Sequence, residues 1–235
     1  VLEFVAEVSN WLMPRICTCC NFYSHNASLD LCDSCKKHLP WLNLRCDSCG
    51  LVLDSSQRRR CDTCRSQPPG FDSLFALFEY APPLTKLINQ LKFSKKLNLG
   101  NLLGTLLAEA ATQQWYLKKS LPEVIIPVPL HEKRLRQRGY NQALEISRPV
   151  SKLLQIPIDT DFCKRIKYTR QQTRLDKAQR INNLDHAFII NSPINYKYVA
   201  IIDDVVTTGS TVRALSIALR AAGVETIDIW CVCRA

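Results

Sequence analysis

Tyr198-Val199-Ala200-Ile201-Ile202-Asp203-Asp204-Val205-Val206-Thr207-Thr208-Gly209-Ser210-Thr211 passes from an apolar, β-branched run through two acids into a hydroxyl-rich loop. Val212, Leu215, Leu219 and Ala222 then follow helical spacing as far as Gly223, a residue suited to a helix C-terminus. Val224 to Val232 supplies the next strand. A strand joined through one helix to another strand pairs with it in parallel, and helices then cover the sheet faces. The fold class expected is α/β. The loop aims backbone N–H groups, hydroxyls and a helix N-terminus at one point, the surroundings that suit a phosphate monoester. Gly209 permits the close backbone approach. Asp203 and Asp204 fall at the carboxyl end of the strand, where open α/β sheets bind ligands, and can accept hydrogen bonds from sugar hydroxyls or hold Mg²⁺ through water. No Gly-x-x-x-x-Gly-Lys precedes the helix, so this is not a Walker A loop.

Working back toward the N-terminus, the pattern continues. Val124 to Val128 reads as a buried strand. Leu84, Leu87, Ile88 and Leu91 mark one helix after Pro82-Pro83, and Leu99, Leu102, Leu103, Leu106, Leu107 and Ala110 mark another. A third helix is expected over Asn141 to Leu154, kinked or broken in two by Pro149. Composition changes at Ser66-Gln67-Pro68-Pro69-Gly70, which divides the chain into an N-terminal part, 1–66, and an α/β part, 67–235.

The N-terminal part has too few apolar residues for a core of its own, but it holds four Cys-x-x-Cys pairs: Cys17/Cys20, Cys32/Cys35, Cys46/Cys49 and Cys61/Cys64. One pair offers two thiolates and Zn²⁺ takes four, so chain order suggests one zinc on Cys17, Cys20, Cys32 and Cys35 and a second on Cys46, Cys49, Cys61 and Cys64. Crossed pairing of the knuckles stays open, as does Cys19 in place of Cys20. A four-thiolate site has no position left for substrate, so these ions are expected to be structural and to supply folding energy. The disulfide alternative is weaker, because the opening residues carry Glu3 and Glu7 and no basic leader, and a reducing cytoplasmic setting is expected.

Lys and Arg number 31 against 21 Asp and Glu, a net charge of +10, of which +8 falls within residues 131–180. Lys133, Arg134, Arg136 and Arg138, followed by Lys164, Arg165, Lys167, Arg170, Arg174, Lys177 and Arg180, suit a polyanion: pyrophosphate, a sugar phosphate or nucleic acid. Arg58-Arg59-Arg60 and Trp41 invite single-stranded DNA as a partner of the ribbons, and a scaffolding role fits them equally. No apolar run reaches the roughly 18 to 20 residues that cross a bilayer, so no membrane insertion is expected.

The stretch Ile201 to Thr211 resembles the phosphoribosyl pyrophosphate (PRPP) motif of type I phosphoribosyltransferases. With the N-terminal Cys-x-x-Cys pairs, Leu91-Lys92-Phe93, Ile126-Pro127-Val128-Pro129-Leu130-His131, Arg134 to Gln142 and Gln172 to Asn183, the chain from Arg15 onward is similar to the ComF/GntX family of competence-associated phosphoribosyltransferase-like proteins. Tyr140 stands where that pattern expects Phe, Ser210 where Ala is commoner, and Pro149 is a further departure. The resemblance implies a type I phosphoribosyltransferase sheet preceded by a small zinc-ribbon domain, and a glycosyltransferase whose acceptor the sequence does not name. It puts the 5′-phosphate on Thr207, Thr208, Gly209, Ser210 and Thr211, and the ribose hydroxyls on Asp203 and Asp204. Pyrophosphate would lie by Val128, Pro129 and His131 with Arg134 or Arg138 alongside, and Mg²⁺ would bridge ribose and pyrophosphate. Lys164 to Asn183 then reads as a flexible lid over PRPP, bearing Arg165, Arg170, Gln172 and Arg174. A role in natural competence, DNA uptake and transformation follows from the family alone, with a competence helicase and a recombination mediator as partners. The alternative is a DNA-binding adaptor that keeps the fold as a PRPP sensor or scaffold without transfer.

Overall fold

The computed structural model describes residues 15–24, 29–53, 59–167, 187–191 and 195–235. Arg58 and the lid residues Arg170, Gln172 and Arg174 lie outside them. In chain order the elements are the hairpin β1 (Arg15–Ile16) and β2 (Tyr23–Ser24), the short helices α1 (Asp33–Lys37) and α2 (Asp62–Ser66), β3 (Ser73–Glu79), α3 (Leu84–Phe93) and α4 (Asn98–Ala110). There follow β4 (Val124–Pro127), α5 (Glu132–Arg138), α6 (Gln142–Leu154), the hairpin β5 (Cys163–Arg165) and β6 (Phe188–Ile190), β7 (Tyr198–Val206), α7 (Ser210–Ala221) and β8 (Thr226–Arg234).

Four strands form one sheet in the order β3-β8-β7-β4, all parallel, with Asp203 of β7 opposite Cys231 of β8 and Pro127 of β4 opposite Ile202. Strands buried on both faces need continuous apolar runs, which β4 and β8 have. One face packs against α3, α4 and α6 through residues such as Leu87, Leu103 and Ile146, and the other against α7 and the β5–β6 hairpin through Leu215, Leu219 and Phe188.

α6 runs through Pro149 as one helix, so of the kink or break expected there the break is not found. The proline ring is accommodated because α4 presents glycines there: a Cβ on Gly104 would stand 2.2 Å from the Ile146 carbonyl oxygen and 2.4 Å from Pro149 Cγ, and one on Gly100 would stand 2.9 Å from Glu145 Cβ. Proline costs a helix one backbone bond and a steric conflict. Here its ring becomes packing material between two helices.

The edge of the sheet at β3 is covered by the N-terminal part. Leu42 N–H donates to the Leu77 carbonyl, Glu79 N–H to Pro40, and Arg45 Nη1 to the Leu74 carbonyl at 2.9 Å. Trp41 packs on Phe78 with ring centroids 4.6 Å apart and the rings tilted at 51°, and gives its indole N–H to the Lys36 carbonyl, so its ring serves packing at this edge. Leu29, Leu31 and Leu39 enter the same core as α3 and α4, and the ribbon thus shares the apolar interior of the sheet.

At the amino end of the strands Asp228, 1% exposed, receives three donors on Oδ2: Tyr116 Oη at 2.5 Å, Tyr198 Oη at 2.6 Å and Lys119 Nζ at 3.0 Å. Trp230 Nε1 donates to Tyr116 Oη at 2.9 Å. Burying a carboxylate is costly unless its oxygens are satisfied, and this network provides the satisfaction.

Candidate functional site

Each ribbon brings its four thiols together in chain order. The Sγ atoms of Cys17, Cys20, Cys32 and Cys35 lie within 4.8 Å of one another, and so do those of Cys46, Cys49, Cys61 and Cys64. Crossed pairing is excluded, and Cys19 falls outside the first set. Backbone N–H groups face the sulfurs: Cys35 N–H donates to Cys32 Sγ at 3.5 Å and Cys61 N–H to Cys46 Sγ at 3.4 Å. Burial works against ionisation of Cys17, but the amides of residues 32, 20 and 19 outweigh it and hold the thiol down to about 6, the direction a metal ligand needs. The donor sets, all sulfur and four to a site, fit structural Zn²⁺.

The second site lies in the sheet. β7 continues through α7 to β8, whereas β4 continues through α5 and α6 to Ile158, which bridges back to Ile125 on the far side of β4. The connections leave in opposite directions, so a crevice opens between the carboxyl ends of β4 and β7, the switch point where such sheets bind ligands. Asp203 and Asp204 project there from β7. Asp204 meets Lys92 Nζ from α3 at 2.9 Å, and its Oδ1 accepts the Val205 N–H at 2.7 Å. Asp203 Oδ1 accepts the Asp204 N–H at 2.9 Å, and its Oδ2 has no hydrogen bond among the described residues. Burial and the neighbouring Asp204 charge push the Asp203 carboxyl up to about 7, against the pull of Lys92 and Arg165. Arg165, on β5, feels both Asp203 and the guanidinium of Arg134, which brings these three groups into one field.

Beyond β7, Gly209 takes φ 76° and α7 begins at Ser210, with the Thr208 and Ser210 hydroxyls 2.8 Å apart. Only glycine adopts that backbone without strain. The loop is thus an N-terminal helix entry carrying exposed hydroxyls, as the sequence suggested. Across the crevice Val128 N–H donates to the Ile202 carbonyl, and Asn141 Nδ2 returns to the Val128 carbonyl at 3.0 Å. Val128 is therefore held to β7 on one side and to the start of α6 on the other. His131 caps α5, its Nδ1 accepting the Lys133 N–H at 3.1 Å. Arg138 is fixed by Gln142 Oε1 at 2.7 Å and by the Phe93 ring at 5.5 Å.

Two residues of this region are not among the expected site residues. Lys92 stands in the sequence only as part of Leu91-Lys92-Phe93, one mark of the family resemblance, and the fold sets it against Asp204. Arg234, 8% exposed, donates from Nε to the Cys49 carbonyl at 2.9 Å and from Nη1 to the carbonyls of Val206, at 3.1 Å, and Thr207. It ties the second cysteine cluster, at Cys49, to the start of the hydroxyl loop.

A family model described as a double zinc ribbon domain matches residues 8–65. DNA utilization protein YhgH of Shigella flexneri is 34% identical over 223 residues, spanning 94% of this chain and 98% of that protein. Competence protein F of Haemophilus influenzae is 37% identical over 225 residues, spanning 93% and 96%. Among solved structures, the glutamine PRPP amidotransferase of B. subtilis aligns with TM-score 0.35 and 18% identity over 56% of this chain and only 25% of its own. A purine phosphoribosyltransferase of Pyrococcus horikoshii aligns with TM-score 0.29 and 17% identity over 69% of this chain and 87% of its own. Neither superposition adds to what the sheet order shows. Parallel sheet and paired ribbons put the molecule in the class of α/β proteins preceded by a double zinc ribbon. Identity sustained over nearly the whole length then gives the family: the chain belongs to the ComF/GntX family of competence-associated phosphoribosyltransferase-like proteins.

Proposed function

We propose that the crevice binds PRPP together with Mg²⁺, and that the chain is a type I phosphoribosyltransferase of the cytoplasm serving competence and DNA utilization. The names of its relatives support the biological role. The observation that carries the chemistry is the convergence, at the carboxyl end of β7, of Asp203 and Asp204, the Thr207–Thr211 loop at the start of α7, and the Lys92 ammonium in contact with Asp204. The loop takes the 5′-phosphate on backbone N–H groups and hydroxyls. Asp203 and Asp204 accept from the ribose hydroxyls. The pyrophosphate lies toward the loop Val128 to His131, with Arg134 and Arg138 alongside.

Carboxylate oxygens are hard donors and fit Mg²⁺ held largely through water. Bound with the pyrophosphate, the ion supplies neutralisation of its charge. Transfer breaks the bond between the anomeric carbon and the pyrophosphate oxygen, and the electron pair leaves with pyrophosphate while an acceptor nucleophile forms the new bond. The side chains of this chain contribute placement and charge: guanidinium groups face the departing anion, and the acidic pair lies beneath the sugar as positive charge develops on it. Calorimetric titration of the zinc-loaded protein with PRPP, with and without Mg²⁺, beside Asp203→Asn/Asp204→Asn, tests the reading. Mg²⁺-dependent binding that the double variant loses is the expected result, and absence of binding by folded wild type refutes it.

Single-stranded DNA contact by a non-catalytic adaptor is the second reading, favoured by the exposed basic side chains of Lys133, Arg136, Lys164 and Lys167. Its mark is an affinity that falls steeply with added salt and survives Asp203→Asn.

A further inference from the structure

Lys92 does more than add charge to the crevice. It lies in the last turn of α3, and that end of the helix is fixed on both sides: the Tyr140 hydroxyl donates to the Leu91 carbonyl, and the Arg138 guanidinium covers the Phe93 ring at 5.5 Å. From this anchored position the Lys92 ammonium contacts Asp204 Oδ2 at 2.9 Å, the lysine side chain being 16% exposed and the aspartate 10%. With Oδ1 taken by the Val205 N–H, both oxygens of Asp204 are engaged.

The charge count has a consequence. The Lys92 ammonium cancels the Asp204 charge by direct contact, and Asp203, which burial and the Asp204 charge push up to about 7, is only partly ionised at neutral pH, so little net negative charge is left there. A bare divalent cation meets little net attraction there and has to dislodge an ammonium group that is already in contact. An anion that arrives with its own metal meets the opposite situation, because Lys92 can exchange a carboxylate oxygen for a phosphate oxygen and keep a full partner.

We propose that Lys92 is the resident counter-cation of Asp204, keeping the place of a divalent ion until a polyphosphate anion carries one in. Metal and anion then enter together. The identity of the anion rests on the PRPP reading, and the exclusion of the bare ion does not.

The test uses the full, zinc-loaded chain and Mn²⁺ as a paramagnetic probe, which prefers oxygen donors to the closed thiolate sites. Titrated without anion, Lys92→Gln binds one Mn²⁺ at least about tenfold more tightly than wild type, since removing an adjacent charge changes an ionic equilibrium by about that much or more. Lys92→Gln/Asp204→Asn loses the gain, and Lys92→Arg behaves as wild type. Equal Mn²⁺ affinity in wild type and Lys92→Gln, tight or absent, overturns the proposal. Wild type supplies a measurement that needs no folded variant: the ¹⁵Nζ ammonium signal of Lys92, assigned by its loss in Lys92→Arg, stays sharp in Mn²⁺ alone, and broadening by Mn²⁺ alone overturns the proposal. Calorimetry with Mg²⁺ and PRPP separates the two readings. Failure of PRPP to bind while Lys92→Gln gains Mn²⁺ removes the PRPP reading and leaves Lys92 its role, whereas PRPP binding with no gain in Lys92→Gln removes only the role of Lys92.

Discussion

Replacing Gly104 by alanine isolates the packing of α4 on α6. The new methyl carbon would lie 2.2 Å from the carbonyl oxygen of Ile146 and 2.4 Å from Pro149 Cγ, where non-bonded atoms prefer roughly 3.5 Å. Neither obstacle can turn aside, one being helix backbone and the other a ring. The helices must separate by about 1 Å, and overpacking of this kind costs about 1–3 kcal/mol, occasionally more. Alanine returns up to about 1 kcal/mol through helix propensity. We expect a net loss near 2 kcal/mol, which at this chain length lowers Tm by about 4–8 °C. Gly100→Ala is the control, because its Cβ would meet Glu145 Cβ at 2.9 Å and backbone at 3.2 Å, a lesser intrusion. Its loss should be clearly the smaller. Thermal and urea unfolding with zinc saturating read both variants. Gly104→Ala as stable as wild type, or Gly100→Ala the more damaging, refutes the reasoning.

Other expectations follow from the same structure. Tyr198→Phe removes one of three donors to buried Asp228 and should cost about 1.5–3 kcal/mol in urea unfolding, the range for a hydrogen bond to a charged group. Asp203, held near 7 in the folded chain against about 4 unfolded, binds its proton more readily when folded, so this group's contribution to stability falls as pH rises from about 4 to 7. Asp203→Asn should therefore gain in Tm relative to wild type between about pH 5.5 and about pH 8, and a constant difference argues against it. Arg234→Met should lower Tm and weaken PRPP binding together, by calorimetry and scanning fluorimetry, because one side chain holds both Cys49 and the loop entry. Stripping zinc with a chelator should unfold the ribbons first, read as loss of thiol protection in residues 17–64 by mass spectrometry.

Much of this was legible because the signals are local. The acids and hydroxyl loop after an apolar strand, the glycine at 209 and the spacing of the cysteine knuckles all act within a few residues, and the structure keeps each where its pattern put it. Which of a kink or a break Pro149 would cause was not legible, because its surroundings depend on Gly104, which lies 45 residues earlier and carries no mark of what will cross it. Arg234 escaped notice, and Lys92 was marked only by the motif Leu91-Lys92-Phe93 and not by a role, for a similar reason: a cation on a helix or at a strand end acquires meaning only through its partner across the fold. The network around Asp228 joins β7, β8 and the segment between α4 and β4, and shows in the sequence only as one acid in an apolar strand. Trp41 was ambiguous between stacking on a base and covering a core, and its contact with Phe78 answers to the second.

The strand order also governs how the molecule is born. β8 lies between β3 and β7, yet it leaves the ribosome after both of them, and its pairing with β3 joins residues 73–79 to 228–234. Until it emerges, β3 has no neighbour in the main sheet and the strongly apolar β7 lacks one of its two. The cysteine knuckles close over short stretches of chain and can be complete long before. A translating chain therefore carries a finished metal module ahead of an unfinished sheet for most of its synthesis. Stalling or premature termination before residue 226 leaves a species with folded ribbons and bare strand edges, the form most prone to aggregate.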